Sequence, residues 1–396
     1  MNTKVQLITE DFQIFLSHLK SKKTFELTNA GAKIKTKDLL DLNEQSNHKA
    51  LWINEKSTQK KFSMLNFFLY ISIYGKLAKV FTNEKGVNTL IPSERLELFF
   101  QLNTSEQYCF ILKTLWCDVN WEKINDDRGL WFIRDGISIL TKAKINKVYS
   151  ISNRHVSELK LYLMYKPYCE FFECMGWYEL IPTKGVTKVG SYDLPYESIT
   201  VSEFGAKIGQ ILEKERDWLT WNTRESLGSW DEDEETQVET KEEDFITPFK
   251  SLFDEPIDDI LPLSPILFKG GRYVFRLDIS KTAYRLIEIG GEATLLDLHE
   301  MIQDGLNFDN DHLFSFTIDE QEFTGAPYDF DSPEYIAQNV LIGNLDLEQG
   351  KKINYVFDFG DNWEFNLVVE LLDETSAEPE PKVIKRVGKA PKQYHW

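Results

Sequence analysis

Apolar and polar residues alternate regularly over residues 353–369. Tyr355 and Phe357 share one face of an extended run, a Gly-Asp-Asn sequence at 360–362 interrupts it, and the alternation resumes at Trp363. A period of two residues is typical of paired β-strands, and Gly, Asp and Asn favour the turn that joins them. The pattern therefore predicts a strand–turn–strand hairpin.

The same alternation extends this hairpin into a larger module. It predicts strands at Tyr273–Leu277, from Tyr284 onward and at His312–Ile318, whereas helical periodicity predicts a helix at Leu295–Leu306 with Thr294 as its cap. The facing of the second strand stays open, because both of its faces are apolar. We expect a mixed β-sheet of about five strands with one main helix on a face, which is an α+β module.

The N-terminal half is predicted to be mainly helical. The order helix, glycine, strand, loop, strand, helix runs through residues 61–102 and returns at 159–215. This is the order found around the wing of a winged-helix domain. A Gly-Ala-Lys-Ile sequence also recurs, at 31–34 and 205–208. We predict tandem winged-helix-like units, with an ordinary helical domain carrying two hairpins as the alternative.

An acidic segment separates the two halves. Residues 229–244 hold nine acids and one lysine, so self-repulsion and scarce apolar residues favour a linker. Residues 245–268 are apolar and punctuated by proline, and we expect a strap that packs onto the acidic module. The predicted domains are a winged-helix-like helical unit at 1–110, a second such unit at 111–228, the linker at 229–246, and the α+β module at 247–396.

The two halves differ in charge. Residues 1–220 carry 30 Lys and Arg against 26 Asp and Glu, whereas residues 251–381 carry 7 against 28. An acidic surface repels nucleic acid and membrane phosphate. Any contact with a polyanion is therefore expected from the first half or from the basic tail.

The cysteines and the overall hydropathy pattern are typical of a cytoplasmic protein. Cys109, Cys117, Cys169 and Cys174 lie in predicted helices without a CxxC motif, which predicts buried, reduced thiols. No apolar run approaches the ~18 residues of a membrane span, and the first residues lack the apolar core of a signal peptide. We expect a soluble cytoplasmic protein that does not contact a membrane.

A moderately basic stretch in the first half offers candidate phosphate contacts. Tyr149 and His155 are interleaved with its cations, as in some nucleic-acid-binding surfaces. Solvated helix faces have the same composition, so that alternative stays open. The candidate residues are Arg134, Lys142, Lys144, Lys147 and Arg154.

Five ordered motifs of the second half carry a family resemblance. They are Tyr273-Val-Phe-Arg-Leu-Asp-Ile, Tyr284-Arg-Leu-Ile-Glu-Ile, Thr294-Leu-Leu-Asp-Leu-His-Glu-Met-Ile-Gln, Asp311-His-Leu-Phe-Ser-Phe and Tyr355-Val-Phe-Asp-Phe-Gly-Asp-Asn-Trp-Glu. Over residues 270–392 the chain resembles the plasmid ORF-three-like family, also called the insertion-element passenger TnpR family. The resemblance implies a small α+β fold and a bacterial protein of plasmid or mobile-element type, for which no biochemical activity is established. It does not imply a resolvase.

Five residues of these motifs could do chemistry: His299, Asp311, His312, Asp358 and Asp361. Imidazoles and carboxylates can bind a divalent metal or transfer protons if they converge. Their spacing matches no compact metal motif, so we predict no metal and no cofactor. Alternatively, His299 lies on the exposed edge of its helix, Asp311 braces a turn and Asp361 occupies the hairpin turn. An Asp-Phe-Gly triplet at 358–360 lacks the other kinase motifs.

Three functional hypotheses follow. The first is a non-enzymatic binding or regulatory protein that contacts DNA or a protein partner through its N-terminal half. The second is a metal-dependent or hydrolytic enzyme that uses the His/Asp cluster. The third is an acidic adaptor that docks a basic partner through its second half.

Overall fold

The computed structural model describes residues 3–22, 25–28, 33–82, 87–121, 124, 131–151, 165–190, 193–222, 244–262, 268–318, 321–326 and 336–394. The chain forms two compact units. The N-terminal unit comprises residues 1–226 and 236–263, and the C-terminal unit comprises residues 227–235 and 264–396. Each unit has its own cluster of buried apolar side chains.

The first part of the N-terminal unit combines helices with a small antiparallel sheet. Its elements are α1 (Thr3–Ser21), β1 (Phe25–Glu26), α2 (Thr36–Gln45), α3 (Ser63–Tyr74), β2 (Ala78–Thr82), β3 (Asn88–Pro92) and α4 (Arg95–Phe99). The strand order is β1–β3–β2. Gly75 follows α3, and a Cβ there would lie 2.5 Å from the ring of Phe110. This close approach explains why glycine ends the helix.

The second part of the unit has the same kinds of element. They are α5 (Thr104–Lys113), α6 (Trp131–Lys142), β4 (Val148–Ser150), α7 (Lys166–Cys174), β5 (Tyr178–Pro182), β6 (Tyr196–Val201), α8 (Glu203–Lys214) and α9 (Trp218–Trp221). A capping box between Asn103 and Glu106 starts α5, which continues into a π-helical turn at Thr114–Asp118. The strand order is β4–β6–β5, and both pairings are antiparallel.

The predicted order of elements is confirmed in both parts. Helix, glycine, strand, strand and helix follow one another from α3 to α4 and from α7 to α8. The recurring Gly-Ala-Lys-Ile sequence does not support this repeat. Its second copy lies inside α8, whereas Ile34 of the first copy pairs with Leu27 just after β1. That part of the prediction is wrong, because four residues take the conformation that their packing imposes.

Helices α3 and α7 pack against each other. The ring of Phe67 stacks on that of Phe171, with centroids 4.2 Å apart and an angle of 12° between the planes. Ser63 Oγ donates to the carboxylate of Glu170, which also accepts from Lys166 Nζ at 2.7 Å. Ten of the twelve residues of α3 are buried. Helix α3 therefore presents little surface to solvent.

Residues 244–262, called the strap from here on, pack against the N-terminal unit. Arg216 Nε donates to the carbonyl of Phe245, and the Arg95 guanidinium donates to the carbonyl of Leu261. The expectation that residues 245–268 pack onto the acidic module is wrong for residues 245–262, and residues 263–267 lie outside the described residues. The apolar side chains of the strap join the core of the N-terminal unit, a choice of partner that composition alone does not specify. Two of them are completely buried: Ile246 and Phe249.

The C-terminal unit is built on seven described strands and one helix. They are β7 (Arg272–Asp278), β8 (Tyr284–Gly290), α10 (Leu295–Leu306), β9 (Phe314–Ile318), β10 (Gln321–Gly325), β11 (Lys352–Phe357), β12 (Trp363–Asp373) and β13 (Lys382–Val387). The strand order is β10–β9–β11–β12–β7–β8–β13. Short 3-10 turns elsewhere in the described chain lie at Gln59–Lys61, Thr247–Leu252, Ile336–Gln338 and Ile342–Asn344.

The α+β class of this unit is confirmed, but the predicted mixed sheet of about five strands is wrong. All pairings among the described strands are antiparallel. The two extra strands, β10 and β13, form the edges of the sheet. Strand β13 is largely exposed and carries Lys382, Lys385 and Arg386, so apolar alternation is weak there. Edge strands are commonly charged, since charge opposes pairing with other chains.

Strand β8 packs only one of its faces against the core. Ile287 and Ile289 are completely buried and face the core. Glu288 lies on the opposite face, where its carboxylate accepts from Arg272 Nε at 2.6 Å and from Lys382 Nζ at 2.7 Å. The core-facing side of the strand therefore carries the two isoleucines, and Glu288 on the other face forms ion pairs with its neighbours.

All four cysteines are buried free thiols, as predicted. Burial raises the pKa of the Cys109, Cys169 and Cys174 thiols, which keeps them protonated and unreactive. Across the part of the chain that the structure describes, no helix is both long enough and apolar enough to cross a membrane.

Candidate functional site

Helix α10 and strand β11 bring polar side chains into the core of the C-terminal unit. A capping box between Thr294 and Asp297 starts α10, so the helix register is fixed two residues before His299. His299 lies on the inward face of the helix and is completely buried. Tyr355 lies on the inward face of β11 and is also completely buried.

These two side chains belong to a hydrogen-bonded network. His299 Nε2 lies 2.7 Å from Asn310 Oδ1, and His299 Nδ1 lies 2.6 Å from Tyr355 Oη. Because an amide oxygen only accepts, Nε2 carries the proton of the neutral imidazole, and the Tyr355 hydroxyl donates to Nδ1. Gln303 Nε2 donates to the same hydroxyl oxygen at 2.7 Å. The four side chains therefore form one chain of donors and acceptors.

Burial keeps this network uncharged at neutral pH. It lowers the pKa of His299 to about 4, although the hydrogen bond to Asn310 acts in the opposite direction. It also raises the pKa of Tyr355 well above the usual value for tyrosine. The imidazole stacks on the ring of Phe314, with centroids 3.7 Å apart and an angle of 6° between the planes. Hydrogen-bonded, neutral polar groups in a core favour one packing arrangement.

A second polar cluster lies at the surface, where β9 begins and β11 ends. His312 Nε2 is 3.5 Å from Asp311 Oδ1 and 3.5 Å from Asp358 Oδ2. Tyr394 Oη donates to the other oxygen of Asp311 at 3.1 Å. The His312 side chain is 42% exposed and that of Asp311 is 52% exposed. Ion pairs with this much exposure contribute little to stability.

Asp358 also holds the hairpin turn between β11 and β12. Its Oδ1 accepts from the backbone N–H groups of Gly360 and Asp361. Asp358 has φ 54° and Asn362 has φ 52°, in the left-handed region that Asp and Asn tolerate better than most residues. The side chain of Asp361 is exposed. The turn gives the side chain of Asp358 a structural role, whereas Asp361 contributes its backbone N–H.

The structure therefore divides the five predicted residues. It brings Asp311, His312 and Asp358 together at the surface, and it places His299 in the buried network. Both imidazoles contact the ring of Phe357, at centroid distances of 5.9 and 6.0 Å. Among the described residues, no group of three or more His, Cys, Asp or Glu side chains is arranged to bind a metal ion.

Four partners in these two clusters were not predicted from the sequence: Gln303, Asn310, Tyr355 and Tyr394. A signal for the pairing of His299 with Tyr355 did exist. Both residues occupy inward positions, one of an amphipathic helix and one of an alternating strand. Buried polar groups are nearly always hydrogen-bonded, so two of them on facing elements are natural partners.

The candidate phosphate contacts of the N-terminal unit are partly described. Lys142 ends α6, and Lys144 and Lys147 precede β4; all three are exposed, and residues 142–147 are called the basic turn from here on. Tyr149 Oη accepts from the backbone N–H of Lys144 at 2.9 Å, and Lys147 Nζ lies 4.7 Å from the centre of the Tyr149 ring. The other two candidates lack a described side chain: Arg134 in α6, and Arg154, which lies outside the described residues.

Two substitutions at Asp358 distinguish a turn residue from a charged group in an acid–base site. Asp358→Ala is expected to destabilise the protein by about 2 kcal/mol, because it removes the two turn hydrogen bonds and places alanine at a left-handed φ. Asp358→Asn keeps an acceptor oxygen and should cost less than about 0.5 kcal/mol. Urea denaturation measures both, with Asp361→Ala as the exposed control. Equal losses for Asn and Ala would show that the charge matters.

The fold and the buried network define the C-terminal unit as an antiparallel α+β module. Residues 275–393 match the plasmid pRiA4b ORF-3-like protein family, which confirms for this unit the resemblance seen in the sequence motifs. The chain is also similar to the crystal structure of MM3350, a protein of unknown function from Methanosarcina mazei Go1, with 22% sequence identity and a TM-score of 0.25. The matched region covers 30% of this chain and 69% of MM3350. No curated protein matches the chain.

Proposed function

We propose that the chain is a non-enzymatic binding protein whose N-terminal unit consists of two winged-helix-like repeats joined into one interaction platform. The order of elements supports this proposal. Each part has a short first strand that pairs with the last strand of a three-stranded antiparallel sheet, and a helix immediately before the hairpin. In a DNA-binding helix-turn-helix protein, the second helix of the motif enters the major groove. The equivalent helices here are α3 and α7.

The main support for this proposal is that α3 and α7 bury each other. A helix that reads DNA must present side chains to base edges in the groove. Phe67 of α3 stacks on Phe171 of α7, and most residues of both helices are buried. The surfaces left for a partner are therefore outside these helices, which favours a protein partner over sequence-specific DNA.

Any contact with nucleic acid is then limited to phosphate contacts made by the basic turn. Lys142, Lys144 and Lys147 project from one exposed turn, and Ile145 between them is 47% exposed. A mixture of cations and exposed apolar surface fits the acidic surface of a protein at least as well as a phosphate backbone. We therefore assign this turn to electrostatic contact with a polyanionic or acidic partner, without base readout.

A mobility-shift series with the full chain tests the nucleic-acid part. With three phosphate contacts, the logarithmic salt slope is expected near −2.7, so affinity for duplex DNA should fall about 40-fold between 50 and 200 mM salt. The shift should not depend on DNA sequence. The variant Lys142→Glu, Lys144→Glu, Lys147→Glu should abolish it, whereas the matched control Lys37→Glu, Lys56→Glu, Lys214→Glu retains most of it. A sequence-selective shift that survives in the first variant would contradict the proposal.

An acid–base centre in the C-terminal unit is a second candidate, favoured by the position of His312 between two carboxylates. The Asp358 substitutions described above bear on it directly. If the centre carries the function, the carboxylate of Asp358 must be needed for more than the turn.

A further inference from the structure

The second half of the strap, residues 253–262, is held to the N-terminal unit by a set of main-chain hydrogen bonds in addition to its side chains. Glu106 Oε1 accepts from the backbone N–H groups of Asp258 and Asp259, at 3.0 and 3.1 Å. Asn103 Nδ2 donates to the carbonyl of Pro256 at 2.9 Å. Such contacts do not depend on which side chains the strap carries. Another extended segment could accept and donate the same hydrogen bonds.

Arg95 also binds the main chain of the strap, at its C-terminal end. Arg95 Nη2 donates to the carbonyl of Leu261 at 2.7 Å, and Nη1 lies 3.4 Å from the carbonyl of Pro262. The guanidinium thus binds two successive carbonyl oxygens. Together with Asn103 and Glu106 it provides polar contacts along seven residues of bound chain, from Pro256 to Pro262.

Side chains of the strap supply the specificity. Ile257 and Leu261 are buried, with 6% and 8% of their surface exposed. The carboxylate of Glu255 accepts from the backbone N–H and from the hydroxyl of Ser105, at the start of α5. A carboxylate is favourable there because the first N–H groups of a helix point toward it. The bound pattern is an acid, then an apolar residue two positions later, then another four positions after that.

The strap is not an ideal occupant of this surface. Leu261 has φ 49°, which is a left-handed backbone conformation that a non-glycine residue adopts only under constraint. The constraint coincides with the Arg95 contact to its carbonyl. A segment that places its second apolar residue in an ordinary backbone conformation would bind without that strain.

We propose that the surface formed by Arg95, Asn103, Ser105 and Glu106 is a peptide-binding groove for extended acidic–apolar segments of partner proteins, and that the strap fills it within the chain. This proposal specifies the kind of protein partner that the N-terminal unit binds, and it rests on the binding function proposed above. A tethered segment competes at an effective concentration of about a millimolar. The groove of the wild-type chain is therefore closed to weak partners until the strap leaves.

A labelled peptide with the sequence of residues 253–262 tests the groove in the full chain. The strap variant Ile257→Asp, Leu261→Asp should bind this peptide at least about 100-fold more tightly than the wild-type chain does, as measured by fluorescence anisotropy. A further Arg95→Ala substitution should weaken binding at least tenfold. A peptide carrying the same two aspartates is the control and should not bind.

The milder strap variant Ile257→Ala, Glu255→Ala serves if the first one does not fold, with an expected gain of about tenfold. A strap variant that melts cooperatively yet binds the peptide no better than wild type overturns the proposal, as does equal binding of the control peptide. The groove uses no lysine of the basic turn and no contact between α3 and α7. The peptide experiment can therefore fail while the proposed binding function of the N-terminal unit still holds.

Discussion

Replacing Phe67 with alanine is expected to lower the free energy of unfolding of the N-terminal unit by about 4 kcal/mol. The ring is completely buried. It stacks on Phe171 and makes edge contacts with Trp121 and Tyr168 at centroid distances of 5.9 and 5.8 Å. Rings packed from several elements cannot collapse easily into the space left by a deleted side chain, so the cavity cost adds to the loss of apolar burial.

Urea denaturation of the full chain measures this effect. Ile73→Ala, at a half-buried position of the same helix, is the control and should cost only about 1 kcal/mol. It tests whether α3 is sensitive to truncation at any position. A Phe67→Ala variant within about 1 kcal/mol of wild type would mean that α3 does not pack as described.

Acid is expected to destabilise the C-terminal unit through His299. The folded pKa of this residue is about 4, below the value of 6.5 for an unperturbed histidine. Between these two pH values the unfolded chain binds a proton that the folded chain does not. Above pH 6.5 the histidine is neutral in both states, so it does not reduce the free energy of unfolding. Below pH 6.5 the free energy of unfolding falls by about 1.4 kcal/mol per pH unit, for a total of about 3 kcal/mol near pH 4.

Denaturation of the wild-type chain and of His299→Gln over this pH range isolates the effect, because carboxylates titrate in both. The difference between the two curves should have the slope given above and should flatten above pH 7. His312→Gln is the matched control at an exposed histidine. It retains His299, so its loss of stability on acidification should persist. A constant difference between wild type and His299→Gln from pH 7 to pH 4 would show that His299 is not buried in a neutral form.

The regular parts of the C-terminal unit were predictable from the sequence. Strands β11 and β12 pair as the alternation indicated, with Phe357 opposite Trp363 and Tyr355 opposite Phe365. Burial of one face of each strand creates that alternation and fixes its register. Strands β10 and β13 left no such signal, because an edge strand has a partner on one side only and can carry charge.

The candidate site was predictable only in part. His299 and Tyr355 follow from inward positions on a helix and a strand. The meeting of His312 with Asp358 does not follow, because it depends on how β9 and β11 lie next to each other in the sheet. The pairing of α3 with α7 and the seating of the strap were equally inaccessible. Apolar helices show that they are buried, but their sequences do not name the surface that buries them.

A double-mutant cycle between Phe67 and Phe171 tests most directly whether α3 and α7 pack against each other. Phe67→Leu, Phe171→Leu and the double variant keep apolar bulk at both positions, and their free energies of unfolding come from urea denaturation. Stacked rings at 4.2 Å should give a coupling energy of about 1 kcal/mol. A coupling energy of zero within error would show that the two rings do not stack and would contradict the packing of α3 against α7.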